Sequence, residues 1–293
     1  MKLTGVLPAL VTPFDTKGEI DFKAFEKHLT NLRAAGVSGW VPCGSTGEYS
    51  AMSDAEREQV LKFVKDFAKP DEILIAGTNA PHTKGVIANT KRAKEIGYDT
   101  VLLATPFYTK PSQSELIKHF TAVLDAVDIN IVLYSYPAKD GIELEWELLD
   151  ALADHPRVIG IKESSGSLQR AVGIVTRYKN RLQLVSGSDD IALDFMFWGA
   201  DSWICGPANC MAKACCDLDR TFRSGNLNKA REQMATLHTA MNILESGKFV
   251  QKVKYGCELQ GTSVGETRMP LAALTTEEKS AFRAAMEPII NWK

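Results

Sequence analysis

Hydrophobic and polar positions along this chain follow two alternating rhythms. Short apolar runs, rich in β-branched residues, occupy 5–13 (GVLPALVTP), 39–43 (GWVPC), 72–78 (EILIAGT), 100–105 (TVLLAT), 130–137 (NIVLYSYP), 158–164 (VIGIKES), 182–188 (LQLVSGS) and 202–207 (SWICGP). Their length and closing turn residues predict buried strands. Between them the apolar spacing changes to three and four, as in DFKAFEKHLTNLRAAG and SDAEREQVLKFVKDFA, which predicts amphipathic helices. The second helix opens with Ser53 and Glu56, a capping box. After about residue 225 the strand pattern stops and helical stretches cover 226–247, 248–261 and 275–290, the last opened by Thr275 and Glu278. Eight strand–helix units predict a (β/α)8 barrel over residues 1–224, followed by a C-terminal helical domain over 225–293. An open doubly wound sheet is the competing arrangement. It is disfavoured because P-x-x-V-T-P-F, not G-x-G-x-x-G, follows the first strand.

Composition narrows the setting. The 293 residues are 45% hydrophobic and 24% charged with net charge −2, which fits a globular chain with a large core and offers no surface for nucleic acid. Pro8, Pro13 and Asp15 interrupt the N-terminal apolar run, so no secretory signal is expected there. No segment approaches the roughly 20 apolar residues of a membrane span. Cys43, Cys205, Cys210, Cys215, Cys216 and Cys257 show no zinc-type pairing and sit among apolar residues. Buried thiols in a reducing cytoplasm are the expectation, with no metal.

The run V-I-G-I-K-E-S-S-G at 158–166 then changes the picture, because it sets a lysine in a buried strand. Alternation puts Val158, Gly160, Lys162 and Ser164 on one face and Ile159, Ile161 and Glu163 on the other. An unpaired buried ammonium is costly and escapes by losing its proton. A neutral amine is what attack on a carbonyl requires. A lysine that snorkels to solvent or pairs with a carboxylate fits the same run. From the run alone, both readings stand.

A barrel carries its chemistry at the C-terminal ends of its strands. Those ends deliver Gly44-Ser45-Thr46-Gly47-Glu48, Thr105-Pro106-Phe107-Tyr108, Tyr134-Ser135-Tyr136-Pro137 with Lys139, then Lys162, Gly187-Ser188-Asp189-Asp190 and Ile204-Cys205-Gly206-Pro207. G-S-T-G-E is either a plain turn or an anion cradle of hydroxyls and backbone N–H groups. Tyr108 and Tyr134 are either core aromatics or a proton relay with Ser45. Asp189 and Asp190 suit a helix start, and Glu163 a structural partner facing the outer helices. His28, His82, His119, His155 and His238 lie away from the strand tops and receive no role.

G-S-T-G-E, T-P-F-Y, L-Y-S-Y-P and G-I-K-E, in that order, resemble the dihydrodipicolinate synthase/N-acetylneuraminate lyase family. The resemblance runs from G-V-L-P-A-L-V-T-P-F to Arg268-x-Pro270, essentially the whole chain. It implies a barrel with a small helical domain, a tetramer built from tight dimers, and a lysine Schiff base with a 2-oxo acid, usually pyruvate, without a cofactor. It implies Lys162 as the Schiff-base lysine, Tyr134 as the proton shuttle and Tyr108 as a tyrosine lent across the dimer. Ser45 and Thr46 match the pair that binds the substrate carboxylate, with Ser45 closing the relay. Ile204 matches a residue whose carbonyl lines the site.

Departures from the family pattern bear on substrate. Lys139 stands where dihydrodipicolinate synthases carry arginine, and lysine lacks the planar two-pronged contact to a second carboxylate. G-S-T-G-E and the paired Asp189-Asp190 resemble the sugar-acid branch, where acidic residues at that strand end bind hydroxyls, while Tyr136 narrows the site against long sugar acids. Asp54, Arg57 and Phe107 stand where lysine-sensitive members carry histidines and a tyrosine. The expectation is a lyase for a short 2-oxo acid adduct. The alternatives are condensation of pyruvate with aspartate semialdehyde, and a non-catalytic 2-oxo acid sensor on the same barrel.

Overall fold

The computed structural model describes residues 2–292. Eight parallel strands close on themselves: β1 (Gly5–Pro8), β2 (Gly39–Trp40), β3 (Ile73–Leu74 continuing as Ala76–Gly77), β4 (Thr100–Ala104), β5 (Asn130–Ser135), β6 (Val158–Glu163), β7 (Gln183–Ser186) and β8 (Ser202–Cys205). β1 lies beside β8 in the register Gly5↔Ser202 to Pro8↔Cys205, and the Ala9↔Val41 bridge joins it to β2. β2 pairs with the first half of β3, whose second half pairs with β4, so the ring has no open edge.

The strands are shorter than the apolar runs. Pro8, Pro13 and Pro42 have no N–H to give a ladder, and Cys43 turns into a left-handed conformation at φ 58. β3 is broken at Ile75, yet the Ile75 and Gly77 N–H groups still donate to the Trp40 and Pro42 carbonyls.

Eight longer helices lie outside the barrel in chain order as α1 (Phe22–Ala35), α2 (Asp54–Phe67), α3 (Thr83–Ile96), α4 (Gln113–Ala126), α5 (Trp146–Leu152), α6 (Leu168–Arg177), α7 (Ala192–Phe197) and α8 (Ala208–Arg223), with a single helical turn at Pro137–Asp140 between β5 and α5. Then come α9 (Leu227–Glu245), α10 (Phe249–Leu259) and α11 (Thr276–Ile290). The capping boxes expected at Ser53–Glu56 and Thr275–Glu278 both form. Leu7, Val41, Ile75, Leu102, Val132, Val185 and Ile204 fill the barrel interior. Val6, Trp203 and Cys205, on the other face of β1 and β8, share one core with Leu237, Met241, Val253 and Phe282 of the last helices. Packing is therefore continuous across the turn at Gly225, which ties the C-terminal helices firmly to one side of the barrel.

One face assignment needs correction. The pairing of β5 with β6 shifts register between Ile131 and Val132, a bulge that reverses the alternation at the start of β6. Val158 consequently packs in the outer layer and Ile159 against the barrel interior, the reverse of strict alternation. Past the bulge, Ile161 packs outward. All six cysteines are buried, and among the described residues no helix is long and apolar enough to cross a membrane.

Candidate active site

Lys162 lies next to Tyr134 of β5 and Val185 of β7 in the register, so its side chain enters the barrel near the strand tops. Gly187 makes this possible: a Cβ there would stand 2.8 Å from the Cε and Cγ of Lys162. The Lys162 Nζ sits 4.3 Å from the centroid of the Tyr134 ring. Among the described residues it forms no ion pair, although Lys162 is only 6% exposed. Glu163, the next residue, points the other way and is fully buried, its Oε2 accepting from the Arg170 Nε at 2.8 Å. It is the outward structural partner that the strand pattern suggests.

Ser45, Thr46, Tyr134, Tyr136, Lys139, Lys162, Gly187 and Asp189 line one narrow cavity of about 20 Å³ together with Gly206, Glu245 and Phe249. A space of this size holds roughly one water molecule. At one side is the Ser45–Thr46 turn. Acids and a second lysine line the same space. Asp189 is buried and accepts from the Trp203 indole N–H at 2.7 Å, which fixes its carboxylate. The Lys139 Nζ lies 5.2 Å from the Tyr136 ring and 5.8 Å from that of Phe249. The Tyr134 and Tyr136 rings are 5.8 Å apart.

Electrostatics here are dominated by burial. Burial drives the Lys162 amine below the ordinary lysine range, the Asp189 charge opposes the shift, and Lys139 adds to it. The Asp189 carboxyl is held above the usual range by burial and then by the charge of Glu245. Burial also lifts the Tyr134 hydroxyl well above its ordinary value, with Tyr136 adding to the effect, so that it stays a protonated donor. Lys139 is lowered by burial and supported in its charge by Glu245. The arrangement offers an amine whose proton is easily lost, a phenol, two hydroxyls and two acids within one space.

The side chains of three expected site residues do not line the cavity. Tyr108 is 91% exposed, with φ 74, so one chain alone does not assemble the Tyr108–Tyr134–Ser45 relay. Ser188 is engaged elsewhere, its Oγ accepting from the Gly166 N–H at 3.2 Å. The Ile204 side chain packs in the barrel interior, and Gly206, two residues on, lines the cavity. Strand period 2 selects a face but not the depth at which the chain turns away.

Glu245 and Phe249 were missed by sequence reasoning because nothing in a helical pattern says which helix end meets the barrel mouth. The signal was faint. A Ser-Gly-Lys break separates their helices, and Gly206 lacks the Cβ that would fall 2.5 Å from the Phe249 ring. Asp54, Arg57 and Phe107 line a separate cavity of about 380 Å³ with Tyr49 and His82. A further cavity, of about 570 Å³, opens at the opposite barrel end around Val158, Gln183 and Asp201, where conserved chemistry is not expected in this architecture.

Comparison with known proteins agrees with this geometry. Residues 2–289 match the model of the dihydrodipicolinate synthetase family. The chain belongs to that family. A 4-hydroxy-tetrahydrodipicolinate synthase of Trichlorobacter lovleyi is 37% identical over 287 residues, 97% of each chain. A dihydrodipicolinate synthase of Bacillus anthracis superposes with a TM-score of 0.95 at 27% identity, covering 99% of both chains. The enzyme of Acinetobacter baumannii, solved in complex with pyruvate, gives 0.93 at 31% identity, over 97% of this chain and 98% of that one. This family member is a class I, Schiff-base-forming lyase on a (β/α)8 barrel.

Proposed function

We propose that the chain forms its Schiff base at Lys162 with pyruvate or another short 2-oxo acid. The observation that carries the reading is a buried lysine that forms no ion pair among the described residues, beside Tyr134 and in one cavity with the Ser45–Thr46 turn. Neutral Lys162 adds to the C2 carbonyl, water leaves, and the protonated imine accepts the electrons of a carbanion at C3. Tyr134 carries protons to and from the substrate oxygen, and Ser45 and Thr46 hold its carboxylate. The site chooses among C–C, C–O and C–N outcomes by what it admits beyond C3.

Lys139, Asp189 and Glu245 line the same cavity, so the charge of Lys139 is already answered by acids. This supports a hydroxylated adduct, of the 2-keto-3-deoxy acid type, over a partner with a second carboxylate. The second reading, condensation of pyruvate with aspartate semialdehyde, draws its support from relatives named 4-hydroxy-tetrahydrodipicolinate synthase. We further propose a homotetramer, a dimer of dimers in which Tyr108 enters the neighbouring site; its exposure supports this. A catalytic barrel of residues 1–224 with a helical domain of 225–293, working in the cytoplasm, completes the proposal, in keeping with six buried thiols. The test is kcat/KM for pyruvate plus aspartate semialdehyde against a panel of deoxy sugar acids. Preference for the sugar acids supports the first reading, and efficient condensation of the semialdehyde the second.

A further inference from the structure

The turn that carries Ser45 and Thr46 is held from outside the barrel. Glu48, which ends the G-S-T-G-E run, has φ 57 and ψ 36. A residue with a Cβ keeps that left-handed conformation only when its surroundings hold it. Its carboxylate is buried against α10, where the Lys254 Nζ meets Oε1 at 2.7 Å with both side chains 2% exposed. Its second oxygen, Oε2, accepts from the Arg268 backbone N–H at 2.9 Å.

These two residues are themselves fixed. Lys254 also donates to the Glu266 carbonyl at 2.9 Å and lies 4.3 Å from the centroid of the Phe14 ring. The Arg268 guanidinium covers the same ring at 4.2 Å, donates to the Gly18 and Ala51 carbonyls at 2.8 Å each, and pairs with Glu56. Within the turn, the Gly47 and Glu48 N–H groups donate to the Gly44 and Ser45 carbonyls, and the Thr12 hydroxyl to that of Gly47 at 2.8 Å. The chain from Ser45 to Glu48 thus has one side in the Lys162 cavity and the other bolted to the C-terminal helices. Lys254 does not line the Lys162 cavity, and Ser45 and Thr46 do.

We propose that Lys254 is a positioning residue of the active site: through Glu48 it fixes the turn whose Ser45 and Thr46 groups receive the substrate carboxylate. The proposal rests on the Schiff-base reading above. A purely structural ion pair would stabilise the fold without altering how pyruvate is held. Lys254→Met keeps most of the apolar stem and removes the charge. Because it strands Glu48 in a buried site, the double variant Lys254→Met/Glu48→Gln removes both charges and keeps the fold testable.

The measurement is the pyruvate concentration that half-saturates borohydride trapping, read with the thermal midpoint and the limiting extent of trapping. A turn loosened by a fraction of an ångström raises the half-saturating concentration by about 10- to 100-fold in both variants, with the limiting extent near wild type. Lys254→Arg, which retains a cation, recovers part of the loss. Half-saturation unchanged in the folded double variant overturns the proposal, as does a loss that only follows the fall in thermal midpoint. A wild type that traps no 2-oxo acid overturns the Schiff-base reading itself, and this proposal with it.

Discussion

Lys162 and Lys254 are both buried, at 6% and 3% exposed, and they lie in opposite chemical situations. Lys254 has a carboxylate at 2.7 Å and a carbonyl at 2.9 Å. Lys162 has an aromatic ring at 4.3 Å, and the acid whose charge it feels most, Asp189, already accepts from Trp203. Burial lowers both amines, but at Lys254 the opposing influence is Glu48 in direct contact, whereas at Lys162 no carboxylate among the described residues forms an ion pair. The contrast teaches that burial alone does not make a nucleophile. A contact carboxylate repays the desolvation of an ammonium and turns the lysine into a fastener, while withholding it makes the free base easier to reach.

The largest effect expected from this contrast comes from Lys162→Ala. It leaves the fold intact by circular dichroism and removes turnover, since nothing else lining the cavity except Lys139 is an amine. Activity surviving in that variant would move the chemistry to Lys139 and break the comparison. Next in size is Tyr134→Phe. Losing general acid–base help lowers kcat by roughly 10²–10⁴-fold while pyruvate still binds, and a near-normal kcat would return Tyr134 to a packing role. Tyr108→Phe produces a loss of similar kind only if a neighbouring chain lends it, which kinetics above and below the subunit dissociation range would reveal.

Smaller effects sharpen the picture around Lys139 and Asp189. Lys139→Arg supplies a two-pronged contact worth about 1.5–3 kcal/mol, so kcat/KM for aspartate semialdehyde rises roughly 10- to 150-fold relative to a deoxy sugar acid. No gain, with a wild type already efficient on the semialdehyde, would favour the synthase reading. Smallest is a shift in pH dependence. Because Lys162 reacts as the free base, trapping rises with pH and levels off below the 10.5 of an ordinary lysine. The Asp189 charge favours the ammonium, so Asp189→Asn moves that rise to lower pH. A rise moved upward would mean that Asp189 holds Lys162 by another route.

Much of this was legible in the chain. Eight apolar runs and their helices give the barrel because period 2 and period 3.6 are local properties, and Lys162 and Glu163 fell on opposite faces as alternation requires. The start of β6 was not legible, since the Ile131/Val132 bulge depends on the neighbouring strand. Glu245, Phe249 and Lys254 were missed for a related reason: their partners, Lys139, Gly206 and Glu48, are far away in sequence, and helical periodicity carries no information on which end docks where. Ser188 lies at the right strand end but its side chain does not line the cavity, because a turn one residue earlier or later decides which side chain reaches it.

The comparison between the two lysines comes down to where an imine forms. Reduction with borohydride in the presence of pyruvate, followed by peptide mass mapping, reads that position directly. The expected result is one reduced adduct per chain, on the peptide that contains Lys162, with Lys254 unmodified. An adduct on Lys254 or another lysine, or none with any 2-oxo acid, would contradict the account.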